Sequence, residues 1–262
     1  MRPPKPLAAS TVRAIPSSTQ LLPVPTTDEV LANAQSSRPK PVAFIVAGHN
    51  GAGKSTLWYE RLAGKLQMPL VNADRLTMSI LPDVNPLPEW ARDLRDQDAR
   101  WQKLSQAGVQ LFRRLIMDQK IPFAYETVFS YWQPTTGAAH ASKVDDIIQM
   151  QKAGYFVILL FVGLANVDLS ILRVQSRKRK GGHDVPTDKL IDRYPRTQAA
   201  IKHATGFADM TLMFDNSRTE QQAFALVRAQ KKNRVLYDVR SDLYKSDPSL
   251  RSTASLWLSK VS

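Results

Sequence analysis

Val42-Ala43-Phe44-Ile45-Val46-Ala47, running directly into Gly48-His49-Asn50-Gly51-Ala52-Gly53-Lys54-Ser55, is the stretch that decides the fold class. The six apolar residues read as a short strand buried on both faces, as in a parallel sheet. The next eight fit G-x-x-x-x-G-K-[ST], a loop whose backbone N–H groups cradle phosphates. Thr56-Leu57-Trp58-Tyr59-Glu60-Arg61-Leu62 then reads as the opening turns of a helix. A strand, a glycine-rich turn and a helix start together aim amides at a phosphate, reinforced by the positive end of the helix dipole. The candidate nucleotide-binding set is therefore Gly48, His49, Asn50, Gly51, Ala52, Gly53, Lys54, Ser55 and Thr56. In such a loop Lys54 reaches the β- and γ-phosphates and the Ser55 hydroxyl holds a magnesium ion.

Working outward, the pattern alternates strands and helices, which predicts a parallel sheet covered by helices on both faces. Leu70-Val71-Asn72-Ala73-Asp74 reads as a second short strand, placing Asp74 beyond a strand's carboxyl end, where open α/β sheets bind ligands. Residues 89–119 read as one helix with an apolar face of Trp90, Leu94, Trp101, Leu104, Leu111, Leu115 and Ile116. Arg92, Asp93, Arg95, Asp96 and Asp98 largely face away from it. Ile121-Pro122-Phe123-Ala124-Tyr125 predicts a third strand leading into Glu126-Thr127. A helix over 142–152, a fully apolar strand over 155–162 and a helix over 167–179 follow. Gly181-Gly182-His183 breaks that helix. The chain is helical again over 187–205 with an interruption at Pro195, extended over 210–214, and helical over 219–232. A Pro/Ser/Thr-rich leader over 1–38, with a short capped helix at 27–32 inside it, precedes the phosphate-loop domain of 39–232. Residues 233–262 form a C-terminal appendage.

Composition narrows the classes. The 262 residues contain no cysteine, which excludes disulfides and thiolate metal sites and suits a reducing compartment. No signal-type stretch and no bilayer-spanning run is present, so the expectation is a cytoplasmic protein with no membrane association. The net charge of +13 suits a polyphosphate, a nucleic acid or an acidic protein partner without choosing among them. Much of the excess lies in Arg177-Lys178-Arg179-Lys180 and in Arg228, Lys231, Lys232 and Arg234. Charge runs of this kind are also ordinary solvated faces.

Four further motifs carry a resemblance. Phe123-Ala124-Tyr125-Glu126-Thr127-Val128-Phe129-Ser130, Gly181-Gly182-His183-Asp184-Val185-Pro186, Arg193-Tyr194-Pro195-Arg196 and Phe214-Asp215-Asn216-Ser217 follow the phosphate loop in order. Over roughly residues 41–228 this resembles the zeta-toxin-like P-loop kinases. The resemblance implies a P-loop kinase fold with a helical lid, ATP and Mg2+ as cofactors, and transfer of the γ-phosphate to the 3′-hydroxyl of UDP-N-acetylglucosamine. It also implies a toxin restrained by an antitoxin protein. Carried over by position, Lys54 and Ser55 fall on the phosphate and metal positions and Asp74 on the catalytic base. Glu126 falls on a substrate-contacting acid, with Thr127 beside it. Arg177, Arg193 and Arg196 fall in the segment that clasps the triphosphate.

Chemistry agrees with these roles. Phosphoryl transfer is mostly positioning and charge neutralisation, so a carboxylate beside the acceptor hydroxyl and arginines from another segment are the needed parts. Arg177 and Arg193 flank a Gly-Gly hinge, the layout of a closing lid. The better-known zeta toxins carry a threonine two residues after the acid. Here that residue is Val128, and Thr127, adjacent on an extended chain, points to the opposite side. A kinase acting on another small molecule, a nucleotide or an RNA end, and a nucleotide-dependent binding protein without transfer, remain the alternatives.

Overall fold

The structure is a computed structural model that describes residues 21–34, 40–131 and 143–262. Its centre is a seven-stranded sheet of order β2-β3-β1-β4-β5-β6-β7. The strands are β1 (Val42–Gly48), β2 (Leu70–Val71), β3 (Phe123–Thr127), β4 (Phe156–Gly163), β5 (Met210–Asp215), β6 (Ala225–Lys231) and β7 (Arg234–Asp238). The first five run parallel, and β6 and β7 are antiparallel additions at one edge. β1 and β4 lie mid-sheet, where both faces are covered, and their residues from Ala43 to Gly48 and Val157 to Gly163 are buried without alternation. That accounts for their continuous apolar runs.

Ten α-helical segments complete the described residues. They are α1 (Thr27–Ala32), α2 (Lys54–Leu57), α3 (Ala63–Leu66), α4 (Ala73–Met78), α5 (Glu89–Asp96) and α6 (Ala99–Asp118), then α7 (Val144–Lys152), α8 (Val167–Arg179), α9 (Thr187–Ala204) and α10 (Pro248–Leu258). A π-helical stretch, Trp58–Leu62, joins α2 to α3. Trp58 is buried there, edge-on to Phe44, so the phosphate-loop helix is seated on β1.

Several expectations are corrected. The second strand stops at Val71, because Asn72 Oδ1 accepts from the backbone N–H of Asp74 and Arg75 and starts α4 instead. The helix expected over 89–119 is two: Asp98 caps α6 by accepting from Arg100 N and Trp101 N. Its expected apolar face is not the buried one. Trp90, Leu104, Leu111 and Leu115 are exposed, whereas Ser105, Arg95 and Arg113 are buried. Arg113 lies over the Tyr125 ring at 4.3 Å and bonds Asp146 at 3.0 Å, so a paired cation fills a core position that periodicity assigned to a leucine. The helix expected from 142 begins at Val144, and Ser142 lies outside the described residues. α9 runs through Pro195 without interruption, held by the buried Tyr194, Thr197, Gln198, Ala200 and Ile201.

The largest correction is at the end of the chain. The helix expected over 219–232 is a short 3₁₀ turn followed by β6, which pairs with β5. Residues beyond 233 are part of the same body. β7 closes the sheet edge, and Tyr237, Trp257, Leu258 and Val261 are fully or almost fully buried in the main core. The described part of the leader is also attached. Leu22 N donates to Leu243 O (2.8 Å), Lys245 N donates to Leu22 O (3.0 Å), and Val30 and Ala34 enter the core.

Candidate active site: a phosphate cradle with an acidic wall

β1 delivers the loop, and its neighbours fix it. Gly53 caps α2 in the left-handed region (φ 90°), and a Cβ there would stand 2.7 Å from Asn216 Nδ2. Asn216 uses that nitrogen to donate to Ala52 O at 2.8 Å. Ser170 Oγ, from α8, donates to Asn50 O at 2.6 Å, and His49 O accepts from both Ala52 N (3.1 Å) and Lys54 Nζ (3.0 Å). The carbonyls of His49, Asn50 and Ala52 are thus engaged by protein donors, and Ala52 N–H is spent within the loop, so it is the remaining N–H groups that can serve an anion. Gly53→Ala is expected to weaken ATP binding at least tenfold. The methyl group collides with the amide that holds the loop, and the left-handed backbone itself costs an alanine about 1–2 kcal/mol. Titration with a fluorescent ATP analogue checks it, and unchanged affinity would refute this account of the loop.

His49 is buried beneath the cradle. Its ring stacks on Tyr194 of α9 (centroids 4.1 Å apart, 19° between planes) and meets Phe161 edge-on. Burial, and then the charge of Lys54, pushes its pKa down to about 3, so the imidazole is neutral. Through this stack α9 is bolted to the loop. Tyr194 OH donates to Leu164 O at 2.6 Å, fixing the turn that carries Arg193 and Arg196.

Lys54 is buried, and burial lowers its pKa. The charges acting on it are, in order, Glu126, Asp74 and Arg177. Of these, Glu126 is in contact with the ammonium. Glu126 is set there by sheet register, since it pairs with Val46 two residues before Gly48. Its Oε2 accepts from Ser55 Oγ and from Asn72 Nδ2, each at 2.8 Å, and its Oε1 lies 3.9 Å from Lys54 Nζ. Asp74 is exposed in the first turn of α4. Thr127 Oγ1 accepts from Phe129 N at 3.2 Å, capping the turn after β3. Thr56 is exposed on α2.

The arginines are spread over two helices. Arg177 NH2 donates to His183 O at 3.0 Å, and a Cβ on Gly182 would stand 2.5 Å from Arg177 Cγ, so the second glycine makes room for this side chain. Arg193 is half-buried next to Tyr194, and Arg196 bonds Asp192 at 2.7 Å on an exposed flank of α9.

Sequence reasoning missed four contributors. Arg173, one turn before Arg177, has its Cβ 3.1 Å from where a Gly51 Cβ would be; burial lowers its pKa, with Asp215 opposing. Asn216 and Asn72 act by hydrogen bonds between distant segments, which spacing alone does not reveal. Arg95 donates to Gly181 O (3.1 Å), Gly182 O (3.3 Å) and Asp96, while His183 Nδ1 lies 2.7 Å from Asp96 Oδ1. Its hydrogen bonds to Asp96 raise the Arg95 pKa against burial, and Asp184 and Asp74 add to the rise. α5 thus holds the Gly181-Gly182 segment through Arg95.

Ser55 Oγ beside a carboxylate is a hard-oxygen donor set, which fits magnesium held largely through phosphate oxygens. Among the described residues no cluster of three or more His, Cys, Asp or Glu could bind a metal without such help. No helix among them is long and apolar enough to cross a membrane.

A parallel α/β core with a phosphate loop at the end of its central strand, backed by arginines on the following helices, defines the P-loop kinase fold. Residues 27–242 match the zeta toxin family, and the chain belongs to it. An uncharacterized protein of Haemophilus influenzae is 29% identical over 157 residues, covering 58% of this chain and 91% of that protein. Among solved structures, the AvrRxo1-ORF1:-ORF2 complex with ATP superposes with a TM-score of 0.55 at 14% identity, over 89% of this chain and 67% of that one. The PezAT chromosomal toxin–antitoxin system of Streptococcus pneumoniae gives 0.51 at 11% identity, over 92% and 98%.

Proposed function

We propose that the protein is an ATP-dependent kinase that phosphorylates an alcohol of a small acceptor, with the 3′-hydroxyl of UDP-N-acetylglucosamine as the leading candidate. We further propose that it acts as the toxin of a toxin–antitoxin pair. The observation that carries the reading is the phosphate loop itself, with the buried Lys54 ammonium on His49 O and the Glu126 carboxylate 3.9 Å from Lys54 and hydrogen-bonded to Ser55. Family membership supports it, as do the ATP and toxin–antitoxin complexes named for the similar structures.

In this reading the loop amides and Lys54 hold the triphosphate, and Ser55 would hold magnesium, which would supply charge neutralisation. Asp74 accepts the proton of the acceptor hydroxyl as that oxygen bonds to the γ-phosphorus. The bond to the β–γ bridging oxygen breaks, and ADP carries away its electron pair. Arg177, with Arg173 one turn before it on α8, and Arg193 of α9 neutralise charge on the transferred group, and Arg196 is a further candidate for the triphosphate. Glu126 and Thr127 are the remaining acceptor-side candidates.

The test is incubation with labelled ATP and a panel of nucleotide sugars, nucleosides and RNA ends, read by mass spectrometry. A nucleotide sugar one phosphate heavier is the expected product. Phosphate on an RNA end would move the assignment to the other acceptor class that the +13 charge suits. Label found only as free phosphate would overturn the kinase reading.

A further inference from the structure

We infer that the outer face of α6 is a docking surface for an acidic amphipathic helix of a partner protein. It involves none of the residues assigned to phosphoryl transfer. Helical spacing lines up Leu104, Ala107, Leu111 and Leu115 on one side of α6. Leu104, Leu111 and Leu115 are 61%, 59% and 49% exposed, and Phe112 beside them is 51% exposed. Exposed leucines scattered singly are ordinary, whereas a continuous apolar stripe marks an interaction site.

The stripe is outside because the opposite side of α6 is fixed. Ser105 Oγ lies 2.6 Å from Thr77 Oγ1 of α4, and a Cβ on Gly108 would stand 2.7 Å from Leu76 Cδ2. Arg113 Nη2 reaches Asp146 of α7 at 3.0 Å. Turning the helix to bury its leucines would break these contacts and strip a buried cation of its carboxylate. The leucines therefore stay available.

Charge decides the occupant. Lys103, Gln106, Gln110 and Arg114 each immediately precede a residue of the stripe, so they form one border of it. All four are exposed, and neither cation makes an ion pair among the described residues. The border carries no carboxylate. A second copy paired antiparallel across a two-fold axis would set this border beside itself, two cations from each copy, which is unfavourable. The net charge of +13 also works against self-association. A membrane surface calls for a broad apolar face ringed by cations, whereas this stripe is narrow and half its border is glutamine. A helix with an apolar seam and glutamates at its flank satisfies both the leucines and the cations, since flanking charges set partner choice between paired helices.

The test uses the full chain and two fluorescein-labelled helical peptides with the same leucine seam, one flanked by glutamates and one by lysines. Fluorescence anisotropy is expected to show the acidic peptide binding at least about tenfold more tightly. Lys103→Glu combined with Arg114→Glu is expected to invert that order, and Leu111→Gln to weaken binding by about tenfold or more. Because these side chains are exposed, the variants are expected to keep their unfolding midpoints and their affinity for an ATP analogue. Should Leu111→Gln fail to fold, Leu104→Gln reads the same stripe. Equal affinity for the two peptides, binding of neither, or an order that the double substitution leaves unchanged overturns the proposal. So does a dimer in sedimentation that Leu111→Gln dissolves, which would give the face to a second copy. Binding to phosphatidylserine vesicles with neither peptide bound would give it to a membrane and overturn it equally.

Discussion

Asp74→Asn is expected to slow phosphoryl transfer by about two to four orders of magnitude, the range general-base catalysis contributes, while ATP affinity stays within twofold of the unsubstituted protein. The geometry makes the substitution clean. Asp74 is held through its backbone N–H on Asn72 Oδ1, a contact that asparagine retains, and its side chain is exposed rather than packed. Its charge is felt at Lys54, but less than that of Glu126, so the triphosphate site loses only a minor electrostatic partner. Single-turnover transfer to whichever acceptor the panel identifies, with ATP titration on the same variant, separates the two effects. A variant that binds ATP normally and still transfers at more than a tenth of the original rate would remove Asp74 from the chemistry. A fall in affinity matching the fall in rate would make it a binding residue only.

What could be read in the chain beforehand was whatever is encoded locally. β1, the glycine loop and the start of α2 are contiguous, so the motif and its flanks sufficed. β4 was clear because a strand covered on both faces leaves an unbroken apolar run, and α8 is found over its expected residues, 167–179. Asn166 caps it by accepting from Leu169 N at 3.0 Å. Elements decided by distant partners were not legible. Ala225-Leu226-Val227-Arg228-Ala229-Gln230-Lys231 has no strong intrinsic preference for strand, and becomes one because β5 offers it an edge. The turn into β7 depends on Lys232 in the left-handed region (φ 48°), where a glycine would have given a visible signal. In the site, the same divide holds. Lys54 and Ser55 were legible from spacing, whereas Asn72, Arg95, Arg173 and Asn216 act across separations in the chain that only the folded sheet closes. α6 shows the reverse failure: leucines at helical spacing imitated a core face, while the position that packs inward is an arginine with its own carboxylate.

The C-terminal segment offers the sharpest test of how far the working unit extends. Trp257→Ala is expected to reduce folding stability by at least about 3–5 kcal/mol, the cost of deleting a large buried aromatic group. Trp257 is fully buried in α10, meets Phe161 of β4 edge-on at 5.6 Å, and lies so close to Gly163 that a Cβ there would stand 2.5 Å from the indole. Its Nε1–H donates to Asp215 Oδ1 at 2.9 Å, and Asp215 is itself wholly buried at the end of β5. Removing the indole therefore opens a cavity and withdraws a donor from a buried carboxylate, against a total stability of only about 5–15 kcal/mol for a typical domain. The effect reaches the cradle, because the next residue, Asn216, holds Ala52 O. Trp257→Phe separates the two parts: it restores most of the volume but not the N–H, and is expected to cost about 1–3 kcal/mol while weakening ATP binding measurably. Denaturant midpoints with unchanged slopes, paired with nucleotide titration, read both quantities. If Trp257→Ala moved the midpoint by less than the equivalent of about 1 kcal/mol, α10 would be a peripheral addition rather than the support of β5 and the phosphate loop.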